Sequence, residues 1–175
     1  METEIFKSIS ITGRLAYIIL CAEQYCKTKF TEKDFTPLFS KAWEVTNSMF
    51  DEWDYRFMEI IPEYLFEFDS YEESDFEYLS FDEYVIFADL LRDTDDALNR
   101  ILLALHETVE LYAYSDIPRY GKESVEIVAK VITELENAGI TFPDPQCIAF
   151  SKFDENDGWG EPFDGKHLSI ILNQN

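Results

Sequence analysis

ITGRLAYIILCAEQYCK, residues 11–27, is the stretch that decides the fold class. Ile11, Leu15, Ile18, Ala22 and Tyr25 recur in steps of three or four. That spacing puts them on one face of a helix, turned toward a core. The same step returns downstream. Thr36-Pro37 reads as an N-cap followed by the first helical residue. Phe39, Trp43, Thr46, Phe50, Trp53, Phe57 and Ile61 then form one stripe. It fits one helix of about six turns, or two helices broken near Asn47-Ser48. Pro62 marks its end.

Further along, Ser80-Phe81-Asp82-Glu83 has the capping-box spacing, with Leu79 and Tyr84 where a hydrophobic staple belongs. The helix it opens runs to about Leu91. Asp93-Thr94-Asp95-Asp96 supplies a cap and an acidic first turn for the next helix, matching the positive end of its dipole. That helix carries Leu98, Ile101, Leu102, Leu105, Val109 and Tyr112. A loop covers Ser115–Gly121. Val125, Val128, Ile132 and Leu135 line one face of the last helix, which stops at Ala138-Gly139.

Two stretches are less regular. In Pro62–Ser80, Tyr64, Phe66 and Phe68 alternate with Glu63, Leu65 and Glu67, so a short strand or a short helix fits. Phe142-Pro143-Asp144-Pro145 cannot be regular helix. From Ala149 to Asn175 the chain is loop-like, with Gly158, Gly160 and Gly165. Within it, His167–Leu172 fits a short strand or an apolar tail packing back on the helices. The expected architecture is all-α. A single helical domain spans 1–175, with a bundle of about six helices over 1–148 and an irregular tail over 149–175 packed on it.

The charge is as uneven as the helices are regular. The 175 residues carry a formal net charge of −22. Residues 51–100 hold seventeen Asp or Glu against Arg56, Arg92 and Arg100, and no Lys occurs between Lys41 and Lys122. Such crowding opposes folding by self-repulsion, so it implies a compensating use. Disordered acidic chains lack aromatic residues, whereas this one has 15 Phe, 10 Tyr and 3 Trp. The charge argues against nucleic acid or an anionic membrane as a partner. It suits a basic protein or a bound cation.

Asp69, Tyr71, Glu72, Glu73, Asp75, Glu77, Tyr78, Asp82 and Glu83 are the candidate partner-binding residues. Carboxylates there alternate with rings, and Tyr71 and Tyr78 are the rings whose hydroxyls tolerate water. The plain alternative is a solvated acidic surface. A possible secondary site is the loop with Asp157, Trp159 and Glu161, where a Trp between two glycines either locks the tail or lines a recognition site. DENDG at 154–158 hints at a calcium loop, but Gly158 falls at position five and the closing Glu is missing. Asp154, Asp157 and Glu161 stay weak cation candidates, and no metal is expected.

No catalytic residue stands out. HExxH, Walker, dinucleotide and nucleophile motifs do not occur. His106 sits between core positions and reads as a satisfied structural histidine. Cys21, Cys26 and Cys147 make a poor disulfide framework, and the first two read as ordinary helix residues. METEIFKSIS carries acids ahead of any apolar run, unlike a secretory signal, and Leu15–Ala22 is too short to span a bilayer. A cytoplasmic protein that is not an enzyme and uses no cofactor is the expectation.

Three segments, GRLAYIILCAEQY at 13–25, WEVTNSMFDEWDYRFMEIIPE at 43–63 and FDENDGWGEPFDG at 153–165, resemble small acidic helical immunity proteins of bacterial polymorphic-toxin loci. Gly13-Arg14 with Leu15, Trp43, Trp53 and the Gly158-Trp159-Gly160 turn carry the resemblance. It implies inhibition of a cognate toxin protein by tight binding in the cell that makes it. The charge and aromatic pattern, read separately, suit a basic nuclease domain as that toxin. Two other readings stay open: a metal-dependent enzyme using acids of the 154–161 loop, and a generic acidic adaptor.

Overall fold

The structure is a computed structural model that describes residues 3–47 and 52–173. Phe50 and the proposed break at Ser48 lie outside them. Within the described residues the protein is all-α. The helices are α1 (Ile11–Lys29), α2 (Thr36–Ala42), α3 (Trp53–Met58), α4 (Pro62–Leu65), α5 (Phe81–Leu91), α6 (Asp96–Glu110) and α7 (Lys122–Asn137). Six short 3-10 turns precede, join or follow them. No named strand occurs among the described residues; an isolated bridge pairs Ile9 with Lys152.

α1 is the centre. It packs against both α6 and α7, which also pack on each other. The Ile11–Tyr25 stripe is buried, but so is nearly every other residue from Ile11 to Cys26. A helix apolar on all sides must be covered on all sides. Here α6 and α7 cover two sides and the irregular segments cover the rest. Ser10 caps the helix, its Oγ accepting from the Gly13 amide at 3.0 Å. Ser10 N donates to Ser151 O at 3.0 Å, and Thr12 N donates to Trp159 O at 3.1 Å. The tail therefore pins the first turn of α1. Gly13 permits that closeness, since a Cβ there would lie 3.2 Å from Ser151 Cβ, as well as 2.6 Å from Ile9 Cγ2.

The other ends follow local rules. Ser80 and Glu83 form the reciprocal capping box of α5. Asp95 Oδ1 accepts from Leu98 N at 3.0 Å to start α6. α7 ends as anticipated at Gly139, with φ +69°. Gly139 N donates to Glu136 O and Ile140 N to Leu135 O, the pair of bonds of a Schellman ending.

One expectation changes, and three that were open between two alternatives are decided. α2 begins at Thr36 itself, and Asp34 Oδ1 accepts from its amide at 2.9 Å. The N-cap position is Phe35, which makes no side-chain cap bond, so Thr36 is a helical residue and not the cap. The Phe39–Ile61 stripe is not one continuous helix. It is α2, a 3-10 turn over Trp43–Thr46 and α3, with Trp43, Trp53, Phe57 and Ile61 all buried. Pro62–Ser80 holds one helical turn, α4, and then loop rather than strand. Likewise His167–Leu172 is no strand: Gly165–Leu168 is a 3-10 turn, and turns follow.

Buried charges bind the irregular parts to the bundle. Arg14, fully buried, donates to Phe6 O, Tyr120 O, Gly121 O and Ser124 Oγ. Burial lowers its pKa to about 10. Glu23 accepts from Trp43 Nε1 at 2.8 Å, from Ile170 N at 2.7 Å and from Ser169 Oγ. Burial raises its pKa while these donors oppose the rise.

Candidate functional site

The acidic segment leaves α4 at Leu65 and returns to helix at Phe81. Two devices hold it. Glu59, only 7% exposed, receives three consecutive backbone amides: Glu77 N at 2.7 Å, Tyr78 N at 3.0 Å and Leu79 N at 2.7 Å. Beside it, Tyr71 stands in a ring cluster with centroids 5.9 Å from Phe76, 5.5 Å from Phe81 and 5.5 Å from Tyr84. Its hydroxyl donates to Leu79 O at 2.9 Å. A carboxylate taking three amides and a packed set of rings make an ordered loop from a chain of poor helix-forming pattern.

Tyr71, Phe76 and Tyr84 are half-buried in this cluster, and the acids around them point out. Asp69, Glu72, Glu73, Asp75, Glu77 and Asp82 are exposed. Tyr78 is 36% exposed, with the Arg56 guanidinium 5.6 Å from its ring centre. Arg56 is also paired with Glu52 at 2.9 Å. Two of the nine candidates belong to the scaffold instead. Tyr71 is half-buried and bonded internally, contrary to its expected exposure. Glu83 bridges Lys41 at 2.8 Å and closes the capping box. Lys41, then Ser80, depress its pKa to about 2.

The pattern did not single out the outer face of α5. Phe81 is 52%, Val85 49% and Ile86 50% exposed, while Phe87, Leu90 and Leu91 face the core. The signal was present: Tyr84-Val85-Ile86-Phe87-Ala88 is more apolar surface than one face of a helix can bury. Glu67–Asp89 contains nine acids and neither Lys nor Arg.

The secondary region is built differently. Asn156, Asp157, Gly158 and Gly160 all have positive φ, from 44° to 96°. A side chain at Gly160 would collide with Ser10, so the turn is clamped against the start of α1. Trp159 is half-buried, its ring edge-on to Tyr112 at 6.4 Å. The loop thus joins tail to bundle. It also borders a cleft of about 1300 Å³, whose walls include Asp54, Tyr55, Tyr114, Asp154, Asp157 and Trp159. Glu161 is exposed beyond the turn. Among the described residues, no three His, Cys, Asp or Glu side chains are grouped to hold a metal ion.

His106 is buried as expected but not fully satisfied. Its Nε2 lies 3.6 Å from Glu110 Oε1, and its Nδ1 has no hydrogen-bond partner among the described residues. Cys21 and Cys26 are buried free thiols. No described helix is long and apolar enough to cross a membrane. Compared with known proteins, the chain matches no family model, no curated protein and no solved structure.

Proposed function

We propose that this protein is a cytoplasmic immunity protein, which binds and blocks a cognate toxin domain, a basic one acting on nucleic acid. The observation that carries the reading is the outward presentation of Asp69, Glu72, Glu73, Asp75, Glu77 and Asp82. Carboxylates in that role take the place of phosphates and pair with the toxin's Arg and Lys. Because Glu59 and the Tyr71 ring cluster already order the loop, little conformational freedom is lost on binding. The collective negative field steers a basic partner toward the face and raises the association rate. Speed matters for an inhibitor when one escaped toxin molecule is harmful.

The test is co-expression with the product of a toxin-like open reading frame adjacent to this chain's own. The expected result is protection of the host and a stable complex on purification. Continued toxicity with no complex, from a folded protein, would count against the reading.

A further inference from the structure

The geometry points to the outer face of α5 as the apolar anchor of the interface, docking a basic protein surface with an apolar centre. This rests on the immunity reading and adds residues that the acidic pattern omits. Phe81, Val85 and Ile86 are each about half exposed on one short helix. Phe81 and Val85 are one turn apart, so they adjoin on the helix surface. The Phe81 ring meets Tyr71 edge-on at 5.5 Å, which ties this face to the cluster under the acidic loop. Exposed Asp82 and Asp89 share the same face.

Isolated exposed apolar residues need no explanation, but neighbouring ones on a single helix mark an interaction surface. The inner side of α5 already meets the fold's needs. Phe87, Leu90 and Leu91 fill the core, and Lys33 Nζ donates to Leu90 O at 2.7 Å near the last turn. Val85 and Ile86 are therefore surplus to the core, while Phe81 gives one edge to the Tyr71 cluster and leaves about half its surface in solvent.

Charge selects the occupant. A second copy placed symmetrically on this face would set the eight exposed acids of Glu67–Asp89 against the same eight. An anionic lipid surface or a nucleic acid would be repelled for the same reason. A protein surface with Lys and Arg around an apolar patch meets both the carboxylates and the rings. It also fits the general anatomy of tight interfaces, an apolar core within a polar rim. The acids set encounter, and Phe81, Val85 and Ile86 set residence time.

The experiment uses the full chain and a catalytically inactive form of the adjacent toxin-like product. Val85→Ser/Ile86→Ser, which leaves the Tyr71–Phe81 contact in place, should weaken binding by about 10-fold or more through faster dissociation, leaving the salt dependence of association as in wild type. Binding within about threefold of wild type, at matched circular dichroism, overturns the anchor while leaving the immunity reading intact. Wild-type protein that does not bind at all overturns the immunity reading and the anchor with it. Hydroxyl-radical footprinting of the wild-type complex avoids any folding defect of the variant. Labelling of Phe81 should fall several-fold on complex formation, and unchanged labelling overturns the anchor.

Discussion

α1 and α5 are both rich in large apolar residues, yet they end in opposite surroundings. α1 is buried from Ile11 to Cys26 with few interruptions, whereas α5 leaves Phe81, Val85 and Ile86 half in water. Composition does not separate them; coverage does. α1 lies between α6, α7 and the tail. α5 buries Phe87, Ala88, Leu90 and Leu91 and exposes Phe81, Val85 and Ile86. The polar groups divide the same way. Arg14 and Glu23 on α1 are buried and bond to the chain's own backbone and side chains. Asp82 and Asp89 on α5 face solvent. One helix holds the molecule together and the other is available to something else.

The contrast breaks first on stability. Arg14→Ala should cost about 3–5 kcal/mol in urea denaturation, because it strands buried carbonyls of Phe6, Tyr120 and Gly121. Trp43→Ala should cost about 3–5 kcal/mol, as it opens a cavity and removes a donor from Glu23. Val85→Ser/Ile86→Ser should change stability by no more than about 1 kcal/mol, since surface substitutions have small effects. A large loss in the serine variant would show that α5 has no free face.

A middle-sized effect is expected at the joint between the two regions. Glu59→Gln should cost about 1–3 kcal/mol, because an amide offers one acceptor oxygen where the carboxylate offers two. Hydrogen exchange should quicken at the amides of Glu77, Tyr78 and Leu79 while α1 stays protected. Uniform loss of protection would mean that the acidic loop and the core unfold together.

The smallest effect is on pH. Glu83 has its folded pKa depressed from 4.5 to about 2 by Lys41 and Ser80. Its contribution is therefore present above pH 4.5 and is lost as pH falls toward 2. The pair is substantially exposed, so the effect should stay below about 1 kcal/mol. Denaturation series on wild type and Glu83→Gln should diverge above that window and converge at its acid end. Parallel curves throughout would remove Glu83 from the account of acid stability.

Much of this was legible in the sequence. The stripes of α1, α6 and α7, the Ser80–Glu83 box and the Gly139 stop depend on neighbours within one or two turns, which a linear pattern records. Arg14, Glu23 and Glu59 were not legible as buried charges. Their partners lie far along the chain, from Ser169 and Ile170 for Glu23 to Gly121 and Ser124 for Arg14. The acidic run was legible as charge, but Tyr71 and Glu83 look like surface residues until the ring cluster and Lys41 are seen beside them. Val85 and Ile86 fail in the other direction. Their residue types suit a core and no pattern assigned them a face, but among the described residues they stand about half exposed.

Under the proposed function, the acidic face steers a basic toxin domain onto this protein. Stopped-flow association with the inactive toxin candidate, at several salt concentrations, tests it most directly. Compared with wild type, Glu72→Lys/Asp75→Lys should associate more slowly and show a shallower salt dependence, with thermal stability unchanged; the Debye length of about 8 Å at physiological ionic strength sets the range over which salt acts. Equal association rates and equal salt slopes for the two proteins would contradict the claim and leave the acids as a solvated surface.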